Sequence, residues 1–176
     1  MRAVVVYESM FGNTHAVAEA VATGLRRTDE VLLVPVEQAT HEVLEGADLL
    51  VVGGPTHAHG MSSSASRQGA PDYVAKSHGE LSLEPGWDGE GLRDWFHELP
   101  DSPCAAAAFD TRADMAALIT GRASKGIADR LGKHGCRLVA DPESFLVDKG
   151  NHLLPHELDR AQEWGAALAA RLHPVG

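Results

Sequence analysis

The chain has 176 residues, of which 44% are hydrophobic, and its formal net charge at pH 7 is −10. We expect one domain over residues 1–176, because a chain of this size can bury a core without metals or disulfides. The acidic balance argues against a nucleic-acid partner, and the absence of a leader-like or membrane-spanning stretch predicts a cytoplasmic protein with no membrane partner.

The first elements are a strand, a short polar turn and a helix. Residues 3–7 form an apolar, β-branched run typical of a buried parallel strand. Val17, Val21 and Leu25 recur every four residues and predict a helix over residues 14–27. The turn between them places hydroxyl groups and a glycine at the start of this helix, where unpaired N–H groups attract phosphate. The candidate phosphate-binding residues are Ser9, Met10, Phe11, Gly12, Asn13 and Thr14. An ordinary capped turn is the alternative.

Strand and helix patterns alternate along the rest of the chain. Strands are predicted over residues 31–36, 48–54, 104–110 and 135–140, the last resuming at 144–147 after Pro142. Helices are predicted over residues 41–45, 87–98, 121–133 and 155–172. Pro35 suits a strand at the sheet edge. This alternation predicts a doubly wound α/β fold with a parallel sheet, in which ligands bind at the carboxyl ends of the strands.

A long polar segment follows the third strand. Residues 62–91 are broken by Gly and Pro and show no sustained period, so an inserted loop over about residues 62–86 is expected. It leaves from the rim of the predicted ligand site, which favours a covering loop over a mobile segment of no function. Tyr73 and Trp87 are its large aromatic residues, and they could contact a ligand or anchor the loop to the body.

The turn over residues 9–14 excludes two common phosphate loops. It has no Gly-Lys-Ser/Thr, which a Walker loop needs, and only one of the three glycines of the dinucleotide fingerprint. It resembles the Ser/Thr-x-Thr-Gly-x-Thr loop of the flavodoxin-like family, with Phe11 in place of a hydroxyl residue. That replacement is expected to weaken phosphate binding by about 0.5–1.5 kcal/mol or somewhat more.

The resemblance implies a five-stranded sheet in the flavodoxin-like order 2-1-3-4-5, with FMN held by the loops after strands one, three and four. The residues of the second loop that would lie beside the flavin ring are Pro55, Thr56, His57, Ala58, His59 and Gly60. Those of the third loop are Asp110, Thr111 and Arg112. Pro55-Thr56 also resembles the same loop in the family's quinone reductases. His57 and His59 stand where the family usually has an aromatic residue. A histidine beside the flavin would titrate close to neutral pH and could make the redox potential pH-dependent, and two exposed loop histidines are the alternative. No metal site is expected, since the histidine pair has no third ligand at a recognisable spacing.

Three functions remain open at this point. An FMN-binding electron carrier is favoured by the chain's size, its acidity and the phosphate loop. An FMN-dependent NAD(P)H:quinone-type oxidoreductase is the alternative, and an interaction module without flavin is the third. Residues 80–101 hold seven acidic residues against Arg93 alone, and they form either a solvated surface or the docking surface of a basic redox partner. Cys104 and Cys136 are expected to be buried, reduced thiols.

Overall fold

The computed structural model describes residues 1–26, 30–57, 59–101 and 104–172. In these ranges the strands are β1 (Arg2–Tyr7), β2 (Glu30–Pro35), β3 (Leu49–His57), β4 (Gly60–Met61), β5 (Ala105–Ala113), β6 (Arg137–Leu138) and β7 (Glu143–Val147). The helices are α1 (Asn13–Leu25), α2 (His41–Leu44), α3 (Ser64–Arg67), α4 (Ala70–Lys76), α5 (Leu92–Glu98), α6 (Ala117–Thr120), α7 (Ala123–Lys133) and α8 (Glu157–Leu172). None of the described helices has the length and apolar character to cross a bilayer.

The sheet is parallel along its main path, with the strand order β2-β1-β3-β5-β6. β5 pairs at its start with β6 and at its end with β7. β6 and β7 are therefore two pieces of the predicted fifth strand, separated near Pro142, whose ring removes a donor from the strand ladder. The order 2-1-3-4-5 is confirmed, whereas the count of five strands is only approximately right. The added strand, β4, pairs antiparallel with the end of β3.

Helices cover both faces of the sheet because successive side chains along a strand point to opposite faces. Val4 and Val6 belong to the core cluster that contains Leu92 of α5 and Ile127 of α7. Val5 belongs to the opposite cluster. That second cluster joins β1, β3 and β5 to α1 and α8, through residues that include Val17, Val21, Leu25, Ala161 and Leu168. Alanines of β5 are fully buried in both clusters, so helices approach this central strand closely.

The prediction of a structureless loop over residues 62–91 is wrong in part. Ser63 and Ser66 form a capping box that starts α3, and Pro71 lies in the first turn of α4. Both are local signals of helix starts, but each helix is too short to show an apolar period. α5 begins at Leu92 rather than at residue 87. Short helix α6 likewise lies within residues 113–120, for which the sequence predicted neither a helix nor a strand.

Candidate functional site

A cavity of about 540 Å³ lies at the carboxyl ends of the parallel strands. The loops or ends of β1, β3, β5 and β7 contribute to its wall, together with the segment that carries α3 and α4. Its volume lies within the range of small-molecule and cofactor sites. The lining residues are Ser9, Met10, Phe11, Asn13, Thr14, Pro55, Thr56, His57, Ser66, Gly69, Ala70, Tyr73, Thr111, Arg112, Ala113, Val147, Asp148, Lys149 and Asn151.

The turn after β1 has the geometry of an anion cradle. Gly12 precedes α1 with a φ of 93°, a left-handed conformation that glycine adopts without strain. Its N–H donates to Ser9 Oγ at 3.1 Å, and its carbonyl oxygen accepts the first helical bond, from Ala16 N–H at 2.9 Å. No side chain of the described residues caps α1. The N–H groups of its first turn therefore present the positive end of a helix of 13 residues at the cavity.

Side chains of this turn also connect it to the other loops. Thr14 Oγ1 and Thr111 Oγ1 lie 2.7 Å apart in a buried hydrogen bond. Asn13 Nδ2 donates to the carbonyl oxygen of Asn151 at 2.7 Å. The turn after β1 is thus fixed to the end of β5 and to the loop after β7, which brings distant parts of the chain around one space.

The second predicted loop contributes only its first half to the cavity. Pro55, Thr56 and His57 line it, and all three belong to the extended end of β3. Thr56 Oγ1 accepts a hydrogen bond from Ala123 N–H at 2.9 Å, at the start of α7. His59 and Gly60 lie outside the lining, and His59 is exposed. Ala58 lies outside the described residues.

His57 is a titratable residue in the part of the cavity wall that the end of β3 forms. It is partly buried, and this burial holds its pKa below the ordinary value of 6.5, since the charged imidazolium loses hydration there. The carboxylate of Glu8 acts in the opposite direction. His57 is thus biased toward its neutral form at the edge of the cavity.

The third predicted loop is divided in a similar way. Thr111 and Arg112 line the cavity, whereas Asp110 is fully buried outside the lining. One carboxylate oxygen of Asp110 accepts the N–H of Ser124 at 2.8 Å, in the first turn of α7. Arg112 Nη1 donates to the carbonyl oxygen of Met115 at 2.7 Å and so holds the segment that follows β5.

Two groups of lining residues lie outside the three predicted loops. The first comes from the inserted segment: Tyr73, which the sequence offered as one of two possible ligand contacts, has its ring 5.9 Å from that of Phe11. The second is the loop after β7, with Asp148, Lys149 and Asn151. A polar run directly after an apolar strand was the available signal for this loop, because strand ends share one edge of a parallel sheet.

These residues suit a ligand that carries acceptor atoms. Arg112 Nε and Asn151 Nδ2 are buried and have no hydrogen-bond partner among the described residues. A buried donor without a partner is costly, and ligand acceptors could satisfy both groups. The uncapped start of α1 suits a phosphate, while Phe11, His57 and Tyr73 supply ring surfaces. The cavity therefore suits a ligand that carries both a phosphate group and an aromatic ring.

Comparisons with known proteins found similar sequences and folds among flavodoxins. A flavodoxin of Aquifex aeolicus is 35% identical over 98 residues, which cover 50% of this chain and 52% of that relative. The chain thus matches about half the length of this curated relative. Over nearly the whole chain, a solved archaeal flavodoxin superposes with a TM-score of 0.67 at 20% identity, covering 98% of this chain and 99% of that one. The chain therefore has the flavodoxin-like fold.

Two further solved structures have the same fold. Oxidised Flavodoxin 1 of Bacillus cereus superposes with a TM-score of 0.65 at 18% identity and full coverage of both chains. The flavodoxin, WrbA-like protein of Agrobacterium tumefaciens superposes with a TM-score of 0.61 at 22% identity, covering 98% of each chain. No family model matches the sequence. In the part of the chain that the structure describes, no three His, Cys, Asp or Glu side chains are arranged to hold a metal ion.

A buried carboxylate anchors the inserted segment of this flavodoxin-like chain. Glu8, directly after β1, is 5% exposed; it accepts hydrogen bonds from Ser62 Oγ and, at 2.9 Å, from Leu92 N–H. Arg67 is 4% exposed, and its Nη1 lies 3.8 Å from Glu8 Oε1. Gly91 leaves the space for this guanidinium, because a Cβ there would overlap Arg67 Nη1. Glu8 thus binds both ends of the segment, which sequence reasoning missed.

A second contact holds the same segment against the turn after β1. Glu84 N–H donates to the carbonyl oxygen of Met10 at 2.9 Å. Glu84 Oε2 lies 2.8 Å from His15 Nδ1, in the first turn of α1. The His15 ring in turn stacks on Tyr7, with 4.5 Å between the ring centroids. The inserted segment therefore supports the back of the turn as well as the rim of the cavity.

Proposed function

We propose that this chain binds FMN in the cavity and acts as a flavodoxin-type electron carrier. The observation that carries the proposal is the convergence of the turns after β1, β3 and β5 on one space that begins at the uncapped N-terminus of α1. The Aquifex relative and the solved neighbours, which are named flavodoxins, support it. When bound, FMN supplies the one- and two-electron chemistry, and the chain supplies binding and electrostatics.

The turn over residues 9–14 would hold the phosphate through backbone N–H groups and the hydroxyls of Ser9 and Thr14. Phe11 supplies no hydroxyl, and its ring lies beside Tyr73 instead. The turn over residues 9–14 contains no lysine. The loop after β7 instead adds the amide of Asn151 and the cation of Lys149 to the cavity wall. The loss of one donor at Phe11 is thus offset in part by the loop after β7.

The ring of FMN would lie between the wall formed by Pro55, Thr56 and His57 and the wall formed by Thr111 and Arg112. Tyr73 is 56% exposed at the rim, where its ring can cover a bound aromatic group. His57 and Tyr73 thereby take the place of the aromatic residues that the second loop lacks.

A two-electron oxidoreductase that uses a nicotinamide donor and a quinone-type acceptor is the second candidate. The observation that favours it is Arg112, whose guanidinium brings a positive charge to the cavity wall. Such a charge stabilises an anionic reduced cofactor and raises the potential of the second electron. A low-potential carrier needs the opposite.

For a carrier, the acidic segment over residues 80–101 would be the docking surface for a basic redox protein. Glu80, Asp88, Glu90 and Glu98 are exposed. The pKa of Glu90 is raised by partial burial and by the neighbouring carboxylates of Glu98 and Asp94, as expected where negative charge accumulates. The Glu84 carboxylate is less available to a partner protein, because it is hydrogen-bonded to His15.

Anaerobic stepwise reduction of the FMN-loaded chain distinguishes the three functions. The protein is incubated with FMN, freed of excess cofactor and followed by visible absorption during reduction. We expect a stable one-electron-reduced flavin at intermediate reduction. A direct two-electron bleach would support the oxidoreductase, and the absence of retained flavin would support the interaction module.

A further inference from the structure

The two cysteines of the chain meet at the opposite end of the sheet from the cavity. Cys104 lies directly before β5 and Cys136 directly before β6. Arg137 N–H donates to the carbonyl oxygen of Cys104 at 2.8 Å, which aligns the two strand starts side by side. The two Sγ atoms are 3.3 Å apart, so one thiol lies within hydrogen-bonding distance of the other. Nothing in their sequence separation predicts this contact.

The environment of the pair favours one reactive sulfur. The hydrogen bond between the two sulfurs, in which either can be the donor, lowers the pKa of Cys136, while burial acts against this shift. The same hydrogen bond, together with burial, raises the pKa of Cys104. A thiolate is the nucleophile in thiol–disulfide exchange. Cys136 therefore supplies the attacking sulfur, and Cys104 holds the remaining proton.

Exposure and geometry agree with an exchange reaction of this kind. Cys104 is half-buried and Cys136 is 7% exposed, so the pair is open to small reagents on one side. A disulfide bond length of roughly 2.0 Å requires the sulfurs to approach by only about 1 Å.

We propose that Cys104 and Cys136 form a reversible disulfide, with a low-molecular-weight disulfide as the oxidant. The Cys136 thiolate attacks one sulfur of the oxidant, forms a mixed disulfide and releases one thiolate. Cys104 then loses its proton and attacks the Cys136 sulfur, which releases the second thiolate. The chain gives up two electrons and two protons, and the oxidant becomes two thiols.

The bond would join the start of β5 to the start of β6 and enclose α7 in a covalent loop. A cross-link of this kind restricts the unfolded chain, so the oxidised form should melt at a higher temperature than the reduced form. Disulfides of proteins from reducing compartments are often transient or redox-sensing. The pair is therefore a modification site that responds to redox state and is independent of the cavity and of any cofactor.

The test is equilibration of the chain in buffers with increasing ratios of oxidised to reduced glutathione, followed by acid quenching, alkylation and intact-mass measurement. We expect the folded wild-type chain to become two hydrogens lighter and to resist alkylation at both cysteines. Its midpoint should lie at a ratio at least about tenfold more reducing than for the same chain in urea, because folding raises the effective concentration of one thiol at the other. Flavin loading should leave this midpoint unchanged.

Cys104→Ser and Cys136→Ser are the matched controls, and neither can close the disulfide. Each should stop at a mixed disulfide with glutathione or remain alkylatable, and neither should show the rise in Tm on oxidation. Two alkylated thiols, an accumulated mixed disulfide or an intermolecular dimer in the wild-type chain would each overturn the proposal. So would a midpoint equal to that of the unfolded chain.

Discussion

The hydroxyl oxygens of Thr14 and Thr111 lie 2.7 Å apart in a buried contact between the turn after β1 and the end of β5. Each residue also lines the cavity. One hydroxyl of the pair donates to the other, which leaves a single proton for a ligand. The contact therefore couples ligand binding at the turn after β1 to the position of the cavity wall that carries Arg112.

Replacement of Thr14 by Val should weaken FMN binding by about 1–3 kcal/mol, since a charged phosphate loses a hydroxyl donor and Thr111 loses its partner. Fluorescence titration of the flavin-free protein with FMN measures the effect. Thr23→Val is the matched control, because Thr23 lies on the same helix but bonds Glu19 at an exposed position. Equal affinity in the two variants would place the phosphate away from the turn.

Replacement of Glu8 by Gln should lower the free energy of unfolding by as much as about 3 kcal/mol, because the buried Arg67 guanidinium then keeps only the exposed Asp94 carboxylate, 3.6 Å away, as an anion. Urea unfolding of the flavin-free protein measures the loss. A second change, Arg67→Met, should recover part of it by removing the buried charge. Glu163→Gln, at an exposed position on α8, is the control and should change stability by less than about 0.5 kcal/mol. A loss of stability in Glu8→Gln no larger than that in Glu163→Gln would show that Glu8 does not anchor the segment.

Replacement of Tyr73 by Leu should weaken FMN binding by about 0.5–1.5 kcal/mol and increase the fluorescence of the bound flavin, because an aromatic contact is lost at the rim. Tyr73→Phe keeps the ring and should bind as the wild type does. Steady-state flavin fluorescence and a binding titration test both variants. A loss in Tyr73→Phe that equals the loss in Tyr73→Leu would assign the effect to the hydroxyl group instead.

His57 should make the stability of the flavin-free protein depend on pH. Its pKa is lowered in the folded state by burial, so the unfolded chain binds the proton more tightly. Stability therefore falls as the pH decreases below about 6.5 and levels off below the folded pKa, with a slope of at most about 1.4 kcal/mol per pH unit. Urea unfolding at several pH values should show this slope reduced in His57→Asn. His59→Asn, at an exposed position with a φ of 73°, should keep the wild-type slope; an equal reduction there would contradict the assignment.

The sequence was sufficient to predict the sheet and the edge of the sheet at which the cavity lies, because both depend on local signals. Buried strands such as residues 3–7 are continuous apolar runs, and their alternation with helices fixes which strand ends meet. Lys149 and Asn151 were not predicted to line the cavity, since the position of their loop depends on the split of the fifth strand into β6 and β7. Tyr73 was noted only as one of two possible contacts, because its position depends on the fold of an aperiodic segment.

Other features that the sequence did not predict also depend on contacts between distant parts of the chain. Asp110 was expected beside the ligand, but strand pleating turns its carboxylate to the start of α7. The Glu8–Arg67 and Cys104–Cys136 contacts join residues far apart in the chain, and no periodic pattern records such contacts.

The position of Glu8 has a consequence for protein engineering. A shortened chain that lacks residues 62–91 would resemble a simpler flavodoxin-like scaffold, yet it would also lack Ser62 and Arg67, two partners of the Glu8 carboxylate. It would have to be redesigned at position 8 at the same time, with a residue that tolerates an apolar or solvent-exposed setting. The end of β1 and the inserted segment thus form one structural unit, and a graft of this segment into another scaffold should carry Glu8 with it.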